Sequence, residues 1–215
     1  MKIKLITILS LMIMCSGLAE AQVQVSKEPR HKPVLQNKYI RLLDVWLQPG
    51  DTTLFHIHST PSVFIELSDA AITAQSKGED WVKDQSVAGK VWYRSFSPDV
   101  LIHRVSNLDT VPFHVNDIEI LSTYKPAAKL SPLPLPVLFE NDRAIAYQLT
   151  KLNKEKISNR GPLIAEAVTG KVIFNNSNGE SQEIKAGKFL YIKPGTSFYF
   201  SASQEIIKLV LFEIK

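Results

Sequence analysis

Short apolar runs that alternate with polar residues extend along this chain, and few stretches carry the 3.6-residue stripe of a helix. The runs are rich in β-branched residues and bounded by Gly, Pro, Asn and Asp, the pattern of strands joined by tight turns. Their order repeats. VLQNKYIRLLDVWL (34–47) opens one half, and VLFENDRAIAYQL (137–149) opens a second in the same manner. VAGKVWYRSFSPDVLIHRV (87–105) is echoed by IKAGKFLYIKPGTSFYF (184–200), and the halves close on VPFHVNDIEIL and EIIKLVLFEI. Between them KPAAKLSPLPLP (125–136) carries Pro126, Pro132, Pro134 and Pro136. Such a stretch cannot join a sheet and predicts a stiff, extended connector. The pattern therefore predicts an all-β chain of two units, 22–124 and 137–215, each closing on itself so that few strand edges are exposed.

Two segments of the first unit carry chemistry. In PGDTTLFHIHS, five residues separate Gly50 from the pair His56 and His58. In SPDVLIHRVSN, Pro98 precedes His103, and Asn107 follows four positions later. Side chains two apart on a strand share a face, so His56 and His58 can aim two imidazoles at one point. His103 returns at a distance that suits another strand of the same unit.

These two segments resemble the paired signature of the cupin superfamily, Gly-x₅-His-x-His followed later by Pro-x-Gly-x₂-His-x₃-Asn. The resemblance implies two tandem jelly-roll β-barrels, a bicupin, with His56, His58 and His103 around one metal. It departs in three places: Ser62 stands where the family glutamate falls, Val100 replaces the second-motif glycine, and Asp69 replaces another glycine. Two histidines and a carboxylate would make the facial triad of non-haem Fe(II) oxygenases. With Ser62 in place of the carboxylate, three histidines leave a neutral shell, which cupin iron dioxygenases also use. Zinc fits three histidines and a water equally well. The cofactor expected is one divalent transition metal, Fe(II) first, with Zn, Mn or Ni as alternatives.

The two-residue period also puts Ser62, Phe64 and Glu66 on one inner face. Glu66 is then the candidate catalytic carboxylate, as general base or substrate contact, with solvent as the alternative destination of its side chain. Ser62, Phe64 and Asn107 are candidates for substrate contact or for support of the ligands. Asn107 also suits the turn after the His103 strand. His31, in PRHKP, reads as a solvated surface residue, and His114 as structural. Phe198 stands where the second unit would need a histidine, and residues 142–215 contain neither His nor Cys. That unit is expected to hold no metal; Phe198, Tyr191 and Phe200 line either its core or a pocket.

Lys2 and Lys4, the apolar run Leu5–Met14 and Ala19-Glu20-Ala21 read as a secretory signal peptide, residues 1–21, cleaved after Ala21. The run is too short for a mature membrane anchor. Cys15 lies inside it, so the exported chain would have no thiol and no disulfide. Cleavage leaves 23 basic and 20 acidic residues, a net +3 over 194 positions, without clusters. No footprint for nucleic acid or for an anionic membrane results.

The expected protein is periplasmic or secreted and binds a small-molecule ligand; a homodimer is compatible with the resemblance. Its expected function is that of a metal-dependent, dioxygenase-like enzyme on a small organic molecule. The alternatives are a non-catalytic binder of a metabolite or sugar, and a Zn, Ni or Mn isomerase or lyase. Fold alone does not separate them.

Overall fold

A computed structural model describes residues 22–125, 130–152, 154–202 and 206–215. The expected signal peptide, with Cys15, lies outside the described residues, as does Pro126. The first half contains β1 (Val23–Gln24), β2 (His31–Gln36), β3 (Ile40–Leu47), β4 (His56–His58) and β5 (Ser62–Glu66). It continues through β6 (Ala70–Ser76), β7 (Trp81–Ser86), β8 (Val91–Arg94), β9 (Leu101–Asn107) and β10 (Phe113–Ile120). The second half comprises β11 (Val137–Glu140), β12 (Ala144–Leu149), β13 (Leu163–Thr169) and β14 (Lys171–Asn176). It ends with β15 (Ser181–Lys185), β16 (Lys188–Ile192), β17 (Phe198–Ala202) and β18 (Lys208–Ile214).

Each half is two facing sheets. In the first they run β1-β4-β9-β6-β7 and β2-β3-β10-β5-β8; in the second, β11-β12-β18-β13-β16 and β15-β14-β17. Among the described residues no ladder joins the facing sheets of either half, so each unit is a jelly-roll sandwich. The repeat has a local physical cause at its start. Asn37 Oδ1 accepts from the Tyr39 and Ile40 N–H groups, and Asn141 Oδ1 accepts from those of Arg143 and Ala144. The same Asx turn thus reverses the chain between β2 and β3 and between β11 and β12. Gly89 (φ +90°) and Gly187 (φ +72°) hold matching turns before β8 and β16 in a left-handed conformation that suits glycine.

Alternation sorts the side chains into three apolar clusters. Ile40 and Leu42 of β3, Val63 and Ile65 of β5, and Ile118 and Ile120 of β10 point away from the first sandwich. They pack against Ala144, Ile164, Val168, Val210, Phe212 and Ile214, so the two units meet sheet to sheet. The second sandwich is filled by its own core, including Tyr147, Phe174, Phe198, Phe200, Leu209 and Leu211. Phe198 and Phe200 therefore belong to the core, Phe200 also bordering a small cavity of about 50 Å³, and Tyr191 packs on the cluster between the units. The first sandwich has only a thin cluster, Leu43, Val45, Leu47, Phe64, Phe113 and Val115 among it. That difference leaves room for a site.

The proline-rich connector does not behave as a free spacer. Leu133 and Leu135 pack on the second core, the Leu133 N–H donates to Tyr147 Oη (3.1 Å), and Ser131 O accepts from Arg160 Nη1 (2.7 Å). Its alternating leucines give one side of an extended strap something to bury.

Candidate metal centre

Strands β4 and β9 run antiparallel with His56 directly opposite His103. Opposed residues hold their Cβ atoms about 5 Å apart, and His58, two residues on, joins the same face. The imidazoles converge: His58 Nε2 lies 3.1 Å from His56 Nε2 and 3.1 Å from His103 Nε2. Two nitrogens about 2.1 Å from one ion stand about 3.0 Å apart at a right angle and about 3.4 Å apart at the tetrahedral angle. Each of these two pairs is spaced to share an ion, while the three nitrogens that all lie within 4.8 Å of one another are those of His31, His56 and His58.

A fourth imidazole comes from the facing sheet. His31, on β2, is buried rather than solvated, and its ligand nitrogen lies within 4.8 Å of those of His56 and His58. Its Nδ1 pairs with Glu28 Oε2 at 2.7 Å, and Glu28 also accepts from the Arg30 and Leu54 N–H groups. Burial alone would raise the Glu28 pKa, but His31 and these two N–H groups outweigh it and hold the carboxyl low. An ionised Glu28 fixes the His31 proton on Nδ1 and leaves Nε2 free to accept an ion. Nothing local in PRHKP announces this; His31 reaches the site only through its pairing with Val45 on β3 and the stacking of the two sheets.

The three signature histidines are neutral at pH 7, the form that ligates a metal. Burial, reinforced by nearby His31, pushes His56 down to about 4. Burial and the neighbouring imidazoles hold His58 and His103 well below the usual histidine range, and the Arg94 charge adds to both. The His56 Nδ1–H donates to Leu54 O (2.9 Å), so its Nε2 carries the lone pair.

Two unsatisfied groups mark the fit further. His58 Nδ1 lies 3.5 Å from Asp117 Oδ2, and neither atom has a hydrogen-bond partner. Burial, then the Glu119 carboxylate, pushes Asp117 up to about 8. Ser62, beside Asp117, gives its hydroxyl proton to Thr60 O (3.1 Å). An ion on His58 Nε2 would put the proton on Nδ1, facing Asp117, the carboxylate–histidine pairing that supports metal ligands. The residues present fit a divalent transition metal. Asp117 shares the phase of Phe113, Val115 and Glu119 along β10, so alternation alone does not single it out.

The cluster borders a cavity of about 400 Å³. Leu47, Phe64, Leu101, Val105, Phe113 and Val115 supply apolar wall. Phe64 stacks on Trp92 (centroids 3.9 Å apart), and Phe96 stacks on the His58 ring (4.9 Å). Phe96 does so from a left-handed backbone (φ 52°), a conformation unusual for a bulky residue and one that clusters at functional sites.

Glu66 borders the cavity with its carboxylate already engaged: Oε2 accepts from Val87 N–H (2.7 Å), and Oε1 from Trp92 Nε1–H (3.1 Å) with Lys90 Nζ at 3.3 Å. It reads as a tie between β5 and the 87–92 segment rather than a free base. Ser62 is fully buried beside Asp117 rather than on the cavity wall. Asn107 is also buried away from the cavity; its Nδ2 donates to Leu47 O (3.0 Å) and Val111 O (2.8 Å), and its Oδ1 accepts from Asp109 N–H (2.9 Å). It clamps the turn after β9. His114 pairs with Asp44 (2.7 Å) and stacks on Trp46.

Neither a protein-family model nor a curated protein sequence matches the chain. Solved structures do. AerE from Microcystis aeruginosa aligns with 87% of this chain and 98% of its own, at 14% identity and a TM-score of 0.58. A cupin 2 conserved barrel domain protein from Leptotrichia buccalis covers 86% of this chain and 88% of its own, at 10% identity and 0.51. A salicylate 1,2-dioxygenase from Pseudaminobacter salicylatoxidans covers 86% of this chain and 76% of its own, at 10% identity and 0.60. At these identities the likeness shows the fold alone: an all-β, jelly-roll architecture shared with cupin-domain structures.

Proposed function

We propose that the first unit is a metal-dependent, dioxygenase-like centre acting on a small organic molecule, in a protein exported by its N-terminal signal sequence. The observation that carries the reading is the convergence of neutral imidazoles, buried at His56 and His58 and half-buried at His103, beside a cavity large enough for a metabolite. His56, His58 and His103 would hold the ion, with His31 on the side of the facing sheet. Fe(II), or Zn, Mn or Ni in its place, would supply a Lewis acid with positions open to a small ligand and, for iron, to oxygen.

The chain's own residues do the rest. Leu54 O and Glu28 fix the protons of His56 and His31 on Nδ1, away from the ion. Asp117 is placed to do the same for His58. Phe64, Leu101 and Val105 keep the neighbouring space apolar, which strengthens electrostatic contacts made there. The likeness to a dioxygenase of known structure, at fold level, is consistent with this chemistry.

Elemental analysis of the mature protein, purified without chelator, tests the reading beside a His56→Ala/His103→Ala variant. About one metal per chain, lost in the variant, is expected; iron would be followed by oxygen-consumption assays. A wild type that stays empty when metal is supplied would leave a non-catalytic binding barrel.

A further inference from the structure

Strand β8 lies at the edge of its sheet and pairs with β5, Ser62 opposite Arg94 and Phe64 opposite Trp92. Alternation turns Val91 and Tyr93 toward the second unit and Trp92 and Arg94 toward the cavity, with Lys90 ahead of the strand on the same side. The charged groups around this rim are unequal. Lys90 is paired with Glu66 (3.3 Å). Arg94 has no carboxylate within ion-pairing distance among the described residues. Its guanidinium lies over the Phe96 ring, 5.2 Å from the centroid, and Phe96 in turn stacks on His58. One unpaired, fork-shaped cation thus stands beside the histidines, at the edge of an otherwise mostly apolar space. Asp84, which also borders the cavity, is exposed.

We propose that Arg94 anchors the carboxylate of the substrate, and that the substrate is a small monocarboxylate with an aromatic or aliphatic body packed against Phe64, Trp92 and Leu101. The inference deepens the reading of the cavity as a substrate site. A planar guanidinium matches a carboxylate through two parallel hydrogen bonds, which an ammonium cannot reproduce. The aromatic stack of Phe64 and Trp92 offers an apolar face for the body of the molecule. A neutral molecule of the same shape would leave Arg94 unpaired and lose the charge-assisted contact.

The test is calorimetric titration of the full mature chain, metal-loaded and chelator-treated, with benzoate and its neutral counterpart benzamide. Wild type should prefer benzoate by about tenfold or more in both forms, the lower range for a hydrogen bond to a charged group. Arg94→Gln should reduce that preference to about twofold or less while leaving benzamide affinity unchanged, which also reports an intact cavity. Arg94→Lys should keep an intermediate preference. Equal binding of the two probes by wild type, absence of saturable benzoate binding, or a preference that survives Arg94→Gln would each overturn the proposal. A preference seen only with metal and indifferent to Arg94 would overturn it while leaving the metal reading intact. Arg94-dependent preference in a protein that retains no metal would support it while that reading fails.

Discussion

Replacing Glu166 by Gln should flatten the decline in stability between mildly acidic and mildly alkaline pH. Glu166, on β13, is completely buried where the two units meet; Oε1 accepts from Asn116 Nδ2, and Oε2 has no partner. Burial, then the nearby Asp44, pushes its carboxyl up to about 8 from an ordinary value of 4.5. Between those two values the folded chain holds a proton that the unfolded chain has released. Stability contributed by this group is therefore complete below about pH 4.5 and is lost as pH rises through about 8. The slope for one proton is about 1.4 kcal/mol per pH unit, so the full span amounts to about 5 kcal/mol. That is an upper bound, because water entry and local relaxation on ionisation soften the cost. Gln keeps the size and the acceptor for Asn116 and has nothing to ionise. Urea midpoints of wild type and Glu166→Gln, measured from pH 5 to pH 9, should lie close together at the acid end and separate progressively, with the variant the more stable. Curves that stay parallel across the range would refute the reasoning. Asp117 shifts in the same direction but is present in both proteins, so the difference isolates Glu166.

Asp117→Asn should lower zinc affinity by about 10–100-fold, because it weakens the acceptor placed for His58 Nδ1–H; competition with a chromophoric chelator measures it, and an unchanged affinity would remove Asp117 from the metal site. Phe212→Ala should cost about 3–5 kcal/mol in denaturant unfolding, since Phe212 is fully buried in the cluster between the units; a loss under about 1 kcal/mol would mean that the interface collapses around the gap.

The parts of the fold that rest on local rules were legible in the sequence. The Asn37 and Asn141 turns, the glycines at 89 and 187 and the two-residue alternation all act within a few positions, so the repeat could be read directly. His56, His58 and His103 were legible because a His-x-His pair needs only a strand to converge. His31 and Asp117 were not, for one reason: both lie on the sheet facing the signature strands, and their approach depends on sheet-to-sheet stacking that no local pattern encodes. The role of Glu66 also turned on distant partners. Its inward phase was readable, whereas the Val87 N–H, the Trp92 indole and Lys90, which engage its carboxylate, come from a segment more than twenty residues away.

The second unit, without a single imidazole, is best understood through what the first lacks. Side chains that would normally fill a sandwich, such as Leu101, Val105, Phe113 and Val115, border a cavity in the first unit. An open cavity forgoes part of the apolar burial that stabilises a domain of this size. The second unit closes that space with phenyl rings: Phe198 packs on Phe174 and Phe200, with ring centroids 5.4 and 5.3 Å apart. Its outer sheet then covers Ile40, Leu42, Val63, Ile65, Ile118 and Ile120 of the first unit. Those residues alternate along β3, β5 and β10 with Val45, Leu47, Phe64 and Val115, which face the cavity. The same three strands thus carry the cavity wall on one face and the inter-unit contact on the other. A filled jelly roll thus packs against the strands that line the cavity and back the histidines of the first unit.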